Sequence, residues 1–489
     1  MSDLVIDAVL AIDIGTSSIR AFAYDRNASV IKGLRVQIEH KPDISDGGST
    51  FDPEQFFYRF VRCLEEMMAL SRGVCKFHSV GITTFWHSMV GLDSVGQPVT
   101  PIVTWADQRP AQEAIKLHTE VDATAWHAIS GCAIHPSYYP SRIKWAVKEF
   151  SIADTTSVKW ASPAAFILSR LFGRLWESTS IASATGLFDQ NANKWSKTIC
   201  QTLVVETNNL PEVSNDNQPV IGLQMPFADQ WPELNDIPWS QPIGDGAASN
   251  LGSGCHTQNM LAINLGTSGA IRALFKADQF AIPDSLWCYR LNQDYFVSGG
   301  AFSDGGDTLA WLRDLFGIDA VKSALAAIVD KKPAEHGLTY LPFLAGERST
   351  GWRPSATATI HGLRQSTAPI DILQASMEGV ALRFKLVYIE LKACFPEIDT
   401  VIASGGALAA APAWSQMLAN CLGTSVEVAE ESEMSCRGAA LTAMKDAGWI
   451  TNWDDVPLLK TRAIMPESQY VDLMDRELQR QQALYEKLS

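Results

Sequence analysis

Leu10, Ile12 and Ile14 alternate with small or polar residues in "AVLAIDIGTSSIRAFAY", and an apolar stretch resumes from Ile19 to Tyr24 beyond Gly15-Thr16-Ser17-Ser18. This pattern predicts strand, tight turn, strand, which is a β-hairpin. It recurs in "NMLAINLGTSGAIRALF", residues 259–275, so a duplicated domain is the simplest reading. Residues 56–70, "FFYRFVRCLEEMMAL", repeat apolar side chains at helical spacing, and "FHSVGITTFWHSMVGLD" then returns to strand-like composition. Such alternation predicts α/β domains with a mostly covered sheet. In "GGDTLAWLRDLFG", Asp307 is the expected N-cap, Leu309 and Leu312 share a face, and Gly317 is the stop. The stretch from Asn208 to Pro242 is rich in Asn, Asp and Pro, which suits an irregular crossing between two halves. The expected boundary lies at Asp245, with domains 1–244 and 245–489. The last segment, "SQYVDLMDRELQRQQALYEKLS", reads as an amphipathic closing helix whose task is packing.

A chain of 489 residues with 46% hydrophobic composition is long enough for two cores of roughly 200 to 250 residues each. The net charge of −15 and the lack of a Lys/Arg cluster argue against nucleic acid or an acidic membrane surface as partners. No signal peptide or membrane-length apolar run is evident. Nine scattered cysteines without a C-x-x-C pair fit reduced thiols, and a cytoplasmic location is the expectation. The dispersed histidines give a zinc cage no support. A homodimer is an allowed assembly.

A Gly-Thr-Ser turn presents backbone N–H groups and hydroxyls with little steric bulk, which is what close approach of a phosphate requires; an ordinary hairpin turn is the alternative. Neither G-x-x-x-x-G-K-[ST] nor G-x-G-x-x-G occurs. The two copies differ where Asp13 of the first is Asn264 of the second, leaving one carboxylate to hold a cation beside phosphates. A third glycine element, Ser404-Gly405-Gly406, follows an apolar strand and precedes a helix, and would admit a flat ring or a phosphate. Asp245 in "QPIGDGAASNLGSG" lies between glycines, either as a helix N-cap or as a base accepting the proton of an attacking hydroxyl.

The paired hairpins resemble those of the actin-like, ribonuclease-H-like ATPases, which implies two such α/β domains flanking an interdomain cleft. Within that superfamily, "TATIHGLRQSTAPIDILQASMEGV" (357–380) is similar to the second signature of the FGGY carbohydrate kinases, with Ile360, Gly362, Leu363, Asp371, Ile372, Ala375 and Glu378 in place. "DIGTSSIR", "TWADQR", "GDGAASNLGSG", "GTSGAIR", "LPFLAGER" and "ASGG" extend the likeness from Asp13 to about Gly448. The resemblance implies ATP and Mg2+, with Asp245 as base and Asp13 positioning the metal. It places Gly15, Thr16, Ser17, Arg20, Gly266 and Thr267 at the phosphates, and Gly405 and Gly406 against the adenosine.

A sugar site needs hydroxyl partners and an aromatic wall. "FWHSM" and "TWADQR" offer Trp86, His87, Trp105, Asp107 and Arg109. The alternatives are a core role for the tryptophans and an Asp107–Arg109 pair. "HPSYYPSRIKWAVKE", containing Tyr138, is similar to the gluconokinase form of the first signature. Arg142 stands where Lys is usual there, Lys144 replaces an apolar residue, and Trp86 replaces the usual Met. "RSTGWRPSATATIHG" lacks the customary Arg-Gly before its last glycine. Arg142 or Lys144 is thus a candidate for a substrate carboxylate, or else a solvated helix charge. The expected substrate is a small sugar or sugar acid, gluconate foremost, with xylulose, ribulose and glycerol as rivals. A nucleotide-dependent sensor without sugar phosphorylation, or an inactive relative, is the expectation from another class.

Overall fold

The computed structural model describes residues 5–203, 205–214 and 218–488. The first four residues, residues 215–217 of the Asn/Asp/Pro-rich crossing and the last residue of the closing segment lie outside the described residues.

Two sheets carry the duplication. In the first, Ile6–Ile14 pairs antiparallel with Ser18–Tyr24 and parallel with Cys75–Thr84. In the second, Met260–Leu265 pairs antiparallel with Gly269–Lys276 and parallel with Thr400–Ser404. Each hairpin therefore sits at the centre of its sheet, with a parallel strand on the other flank. Val30–Glu39 and the short strand Ile243–Gly244 complete the five-stranded first sheet; the second has seven strands. Strands covered on both faces need apolar residues on both, and Ile6–Ile14 is buried from Ala8 onward.

The helices follow local chemistry. The one anticipated over 56–70 spans Pro53–Ser71, because the Asp52 side chain accepts from the Gln55 N–H at 2.8 Å and Pro53 fits the first turn. Phe56, Phe60, Leu64 and Met67 form its buried stripe. The helix at 307 differs from expectation by one position: Gly306 occupies the N-cap. Asp307 is the first helical residue, accepting from the N–H groups of Gly305 and Thr308 at 2.7 and 2.8 Å. Leu309 and Leu312 are buried, and Gly317 ends the helix at a φ of 88°. The closing helix spans Ser468–Leu488 and packs on the 26-residue helix Pro369–Cys394.

Between the sheets lie two stacked helices, Asp245–Gly252 and Met434–Asp446, the latter also resting on strands Ile6–Ile14 and Cys75–Thr84. Among the described residues no helix is long and apolar enough to cross a membrane.

Away from the cleft, burial pushes the Glu177 carboxyl up to about 8, although it accepts from the Ser162 N–H and hydroxyl at 3.2 and 3.0 Å. A raised native value means that the folded protein keeps the proton longer than the unfolded chain. This group's contribution to stability is therefore lost as pH climbs from about 4.5 to about 8. Glu177→Gln, which keeps an acceptor but cannot ionise, is expected to melt above the parent at pH 8 and level with it at pH 5. Thermal denaturation at the two values checks this.

Candidate active site

Three parallel strands deliver the chemistry to one end of the first sheet. Asp13 and Ile14 stand in register with Thr83 and Thr84, which stand in register with Ile243 and Gly244. The first turn, the "FWH" segment and Asp245 therefore leave the sheet side by side, at the carboxyl ends of its strands, where open α/β sheets place their ligands.

The first turn is closed by the Gly15 N–H donating to Ser18 O at 3.0 Å, the second by the Gly266 N–H donating to Ser268 O at the same distance. The second turn is seated on the helix at 307: the Gly306 and Asp307 N–H groups donate to the carbonyls of Gly266 and Thr267 at 2.7 and 3.1 Å. Thr16 and Ser17 of one turn and Gly266 and Thr267 of the other line a single cavity of about 1460 Å³, and Asp245 lines it too. Gly15 stands behind the first turn, outside the lining. Gly405, at a φ of 119°, lies against the second hairpin, where an added Cβ would come within 2.4 Å of Leu265 O; the corresponding direction at Gly406 is open.

Asp245 is the first residue of its helix, the N-cap being Gly244, and its Oδ1 accepts from the Gly246 N–H at 2.7 Å. Burial raises its carboxyl above the ordinary range, opposed chiefly by the Arg272 charge. The flanking glycines have a steric cause. The Trp86 ring lies on both, and a Cβ at Gly244 or Gly246 would fall 1.8 or 2.3 Å from it. Trp86 Nε1 donates to Ser180 O at 3.0 Å, which pins the ring in that place.

Asp13 is 8% exposed, and burial, with Asp245 and Glu433 adding to it, pushes its carboxyl up to about 7. A buried carboxylate of this kind, set just behind the cavity lining with Asp245 and Glu433 nearby, suits Mg2+ held otherwise by water and phosphate. Among the described residues no group of three or more metal-ligating side chains is assembled. Arg20 does not line the cavity. It donates to Glu433 at 2.7 Å and stands 3.9 Å from Asp13.

His87 and Trp105 line the cavity. His87 has a φ of 65° and donates from Nδ1 to Ala184 O at 2.6 Å; burial and the Arg348 charge hold it neutral, so Nε2 is an acceptor. Tyr138 is buried behind it, its hydroxyl 2.5 Å from that of Tyr289. Asp107 and Arg109 pair with each other at 2.6 Å outside the cavity lining, and Asp107 also accepts from the Ser49 N–H at 3.0 Å. Neither cation singled out for a substrate carboxylate reaches the cavity. Arg142 is fully buried and donates to the His87 carbonyl, while Lys144 pairs with Glu120 at 2.7 Å. The guanidiniums that do line it near Asp245 are Arg272 and Arg348. Arg272 ends the second motif, "GTSGAIR", and Arg348 ends "LPFLAGER", so both were present in segments read for other reasons.

Two similar sheets with facing hairpin turns, a shared cavity and helices between them define a two-domain, actin-like ATPase fold of mixed α/β class. Residues 8–252 match the N-terminal domain and residues 261–447 the C-terminal domain of the FGGY family of carbohydrate kinases, and the chain belongs to that family of ATP-dependent sugar kinases. It is 28% identical to a gluconokinase of Bacillus subtilis over 466 residues, covering 92% of this chain and 89% of that protein. Glycerol and xylulose kinases are also similar in sequence. Among solved structures, a xylulose kinase from Lactobacillus acidophilus superposes with a TM-score of 0.92 and a gluconate kinase from the same organism with 0.90. Each is 20% identical, with 99% of this chain and 98% of the other covered, which is a likeness of fold.

Proposed function

We propose that this kinase transfers the γ-phosphoryl of ATP to a hydroxyl of a sugar acid, with gluconate the favoured acceptor. The observation that carries the reading is the meeting of both hairpin turns and Asp245 on one cavity. The likeness to gluconokinases in sequence and fold supports the choice of sugar acid.

Asp245 takes the proton of the acceptor hydroxyl as that oxygen bonds to the γ-phosphorus and the bond to the bridging oxygen of ADP breaks. The N–H groups and hydroxyls of Thr16, Ser17 and Thr267 hold the phosphates from opposite walls. Asp13 would hold Mg2+, which supplies charge neutralisation at the phosphates. Gly405 and the open face of Gly406 receive the adenosine. His87 Nε2 accepts from a sugar hydroxyl, Trp105 gives an apolar wall, and Trp86 braces the base. Residues 1–244 supply the first phosphate turn and this wall, and residues 245–489 the nucleotide side.

An ADP-release screen with saturating ATP and Mg2+ against sugar acids, ketopentoses and polyols tests the reading. Gluconate is expected to give the highest kcat/KM. Preference for xylulose, ribulose or glycerol would replace the substrate, and ATP turnover indifferent to every acceptor would favour a sensor.

A further inference from the structure

We propose that Arg272 and Arg348 form a carboxylate seat in the acceptor pocket, so that the substrate's anionic end rests on two guanidiniums while a hydroxyl faces Asp245. This rests on the kinase reading above and assigns its specificity to two residues.

The two arginines reach the cavity from separate elements. Arg272 lies on the strand leaving the second phosphate turn, opposite Ala262, and its Nε lies within 2.9 Å of where a Gly246 Cβ would stand. Arg348 belongs to the loop after strand Thr339–Leu341 and extends over the Trp105 ring, 5.7 Å from its centroid. Nε and Nη1 of Arg272 and Nε of Arg348 are buried with no hydrogen-bond partner among the described residues. Nearby arginines are paired otherwise: Arg20 with Glu433, Arg109 with Asp107, Arg383 with Glu347. No described carboxylate lies within 4 Å of Arg272 or Arg348.

Both residues are partly exposed and Arg348 also hydrogen-bonds Tyr138, but buried guanidinium N–H groups left idle are costly unless a ligand engages them. Asp245 contributes one negative charge near two positive ones. His87 and His135 do not add to the excess, since burial and the Arg348 charge hold both neutral, the latter at about 3. Arg272, lowered by burial to about 10, is still a cation at neutral pH. A polyol hydroxyl would leave the excess positive charge in place. A carboxylate neutralises it and offers two oxygens to planar N–H forks, the geometry for which arginine is suited.

The other anion within the cavity's reach is the γ-phosphoryl itself, and the test separates the two. In the full chain, Arg272→Met, Arg348→Met and the corresponding Lys variants are compared with the parent for kcat/KM on D-gluconate and on D-glucitol, a polyol of equal length without the carboxylate. Melting temperatures identify any variant that fails to fold. The expected result is a fall of ~10²-fold in the gluconate-to-glucitol ratio for each Met variant, with partial recovery for Lys. An equal loss on both acceptors, leaving the ratio in place, would assign the arginines to the phosphoryl group and overturn the seat. An unchanged ratio with unchanged rates would overturn it as well. The parent distinguishes the two levels of failure. If it phosphorylates glucitol in preference to every sugar acid, the substrate reading falls and the seat with it. If it prefers gluconate and the variants still do, only the seat falls.

Discussion

Replacing Asp245 with Asn is expected to lower kcat by ~10² or more, roughly 3 kcal/mol of barrier, while leaving the KM for ATP nearly unchanged. The substitution preserves shape and an oxygen for the Gly246 N–H but removes the capacity to take a proton. It should also make the protein at least as stable as the parent. Burial raises the native carboxyl above its unfolded value, so ionisation of Asp245 is resisted by the fold, and its contribution to stability is lost as pH rises through that raised value. The Asn variant therefore melts at or above the parent temperature at pH 8, with the difference fading in acid. Activity runs the other way: the base must be ionised, so the acid limb of the parent's kcat/KM profile should lie above the ordinary carboxylate range and vanish in the variant. Lost turnover with retained or improved stability is the mark of a chemical role, because Asn keeps the oxygen that accepts from the Gly246 N–H and so leaves the helix start intact. Retained turnover would leave Asp245 only its hydrogen bond from the Gly246 N–H in the first turn of the helix.

Much of this site was legible because its parts are local. Strand, turn and strand are encoded within a few residues, so both hairpins, the duplication and the Asp245 turn could be read directly. The Asp107–Arg109 pair was legible in the same way, since two residues apart on a turn they can satisfy each other without help from the fold. What was not legible depends on register. Trp86 explains both glycines around Asp245, but only because Ile243–Gly244 pairs with Thr83–Thr84 and thereby brings that helix start under the indole. Arg20 looked like a phosphate ligand, yet its partner Glu433 is 413 positions away. Arg142 fits a helix reading, and only the packed structure shows that its guanidinium turns inward to the His87 carbonyl rather than toward a ligand. Arg272 and Arg348 meet because a strand and a distant loop converge on one cavity, and no spacing rule connects them.

Register also governs the joint between the two sheets, where Gly81→Val is expected to be the most disruptive single change. Gly81 lies mid-strand opposite Ala11, and a Cβ there would fall 1.8 Å from Ala439 O and 2.7 Å from Ala439 C. These are backbone atoms of the helix Met434–Asp446, so no rotamer change can relieve the clash. The helix cannot retreat either. A Cβ at Gly438 would fall 2.0 Å from Ala248 O, and one at Gly252 the same distance from Met434 O, so its far side is already in backbone contact with Asp245–Gly252. Overpacking a well-filled core costs about 1–3 kcal/mol, and here the backbone must move, so a loss of about 3 kcal/mol or more is expected. In a domain of this size that corresponds to a fall of roughly 10 °C in melting temperature. Any surviving protein should also turn over slowly. The same helix begins beside Glu433, which holds Arg20, and carries Cys436, whose Sγ lies 3.9 Å from Asp13, so displacing it disturbs the floor of the site. Gly406→Ala provides the contrast: its Cβ meets nothing within 4 Å, so the melting temperature should stay at the parent value, and the KM for ATP should rise if adenosine lies against that face. Thermal denaturation and ATP kinetics on the two variants distinguish a glycine required by packing from one required by a ligand, and equal melting temperatures would show that the helix is free to shift away from the first sheet.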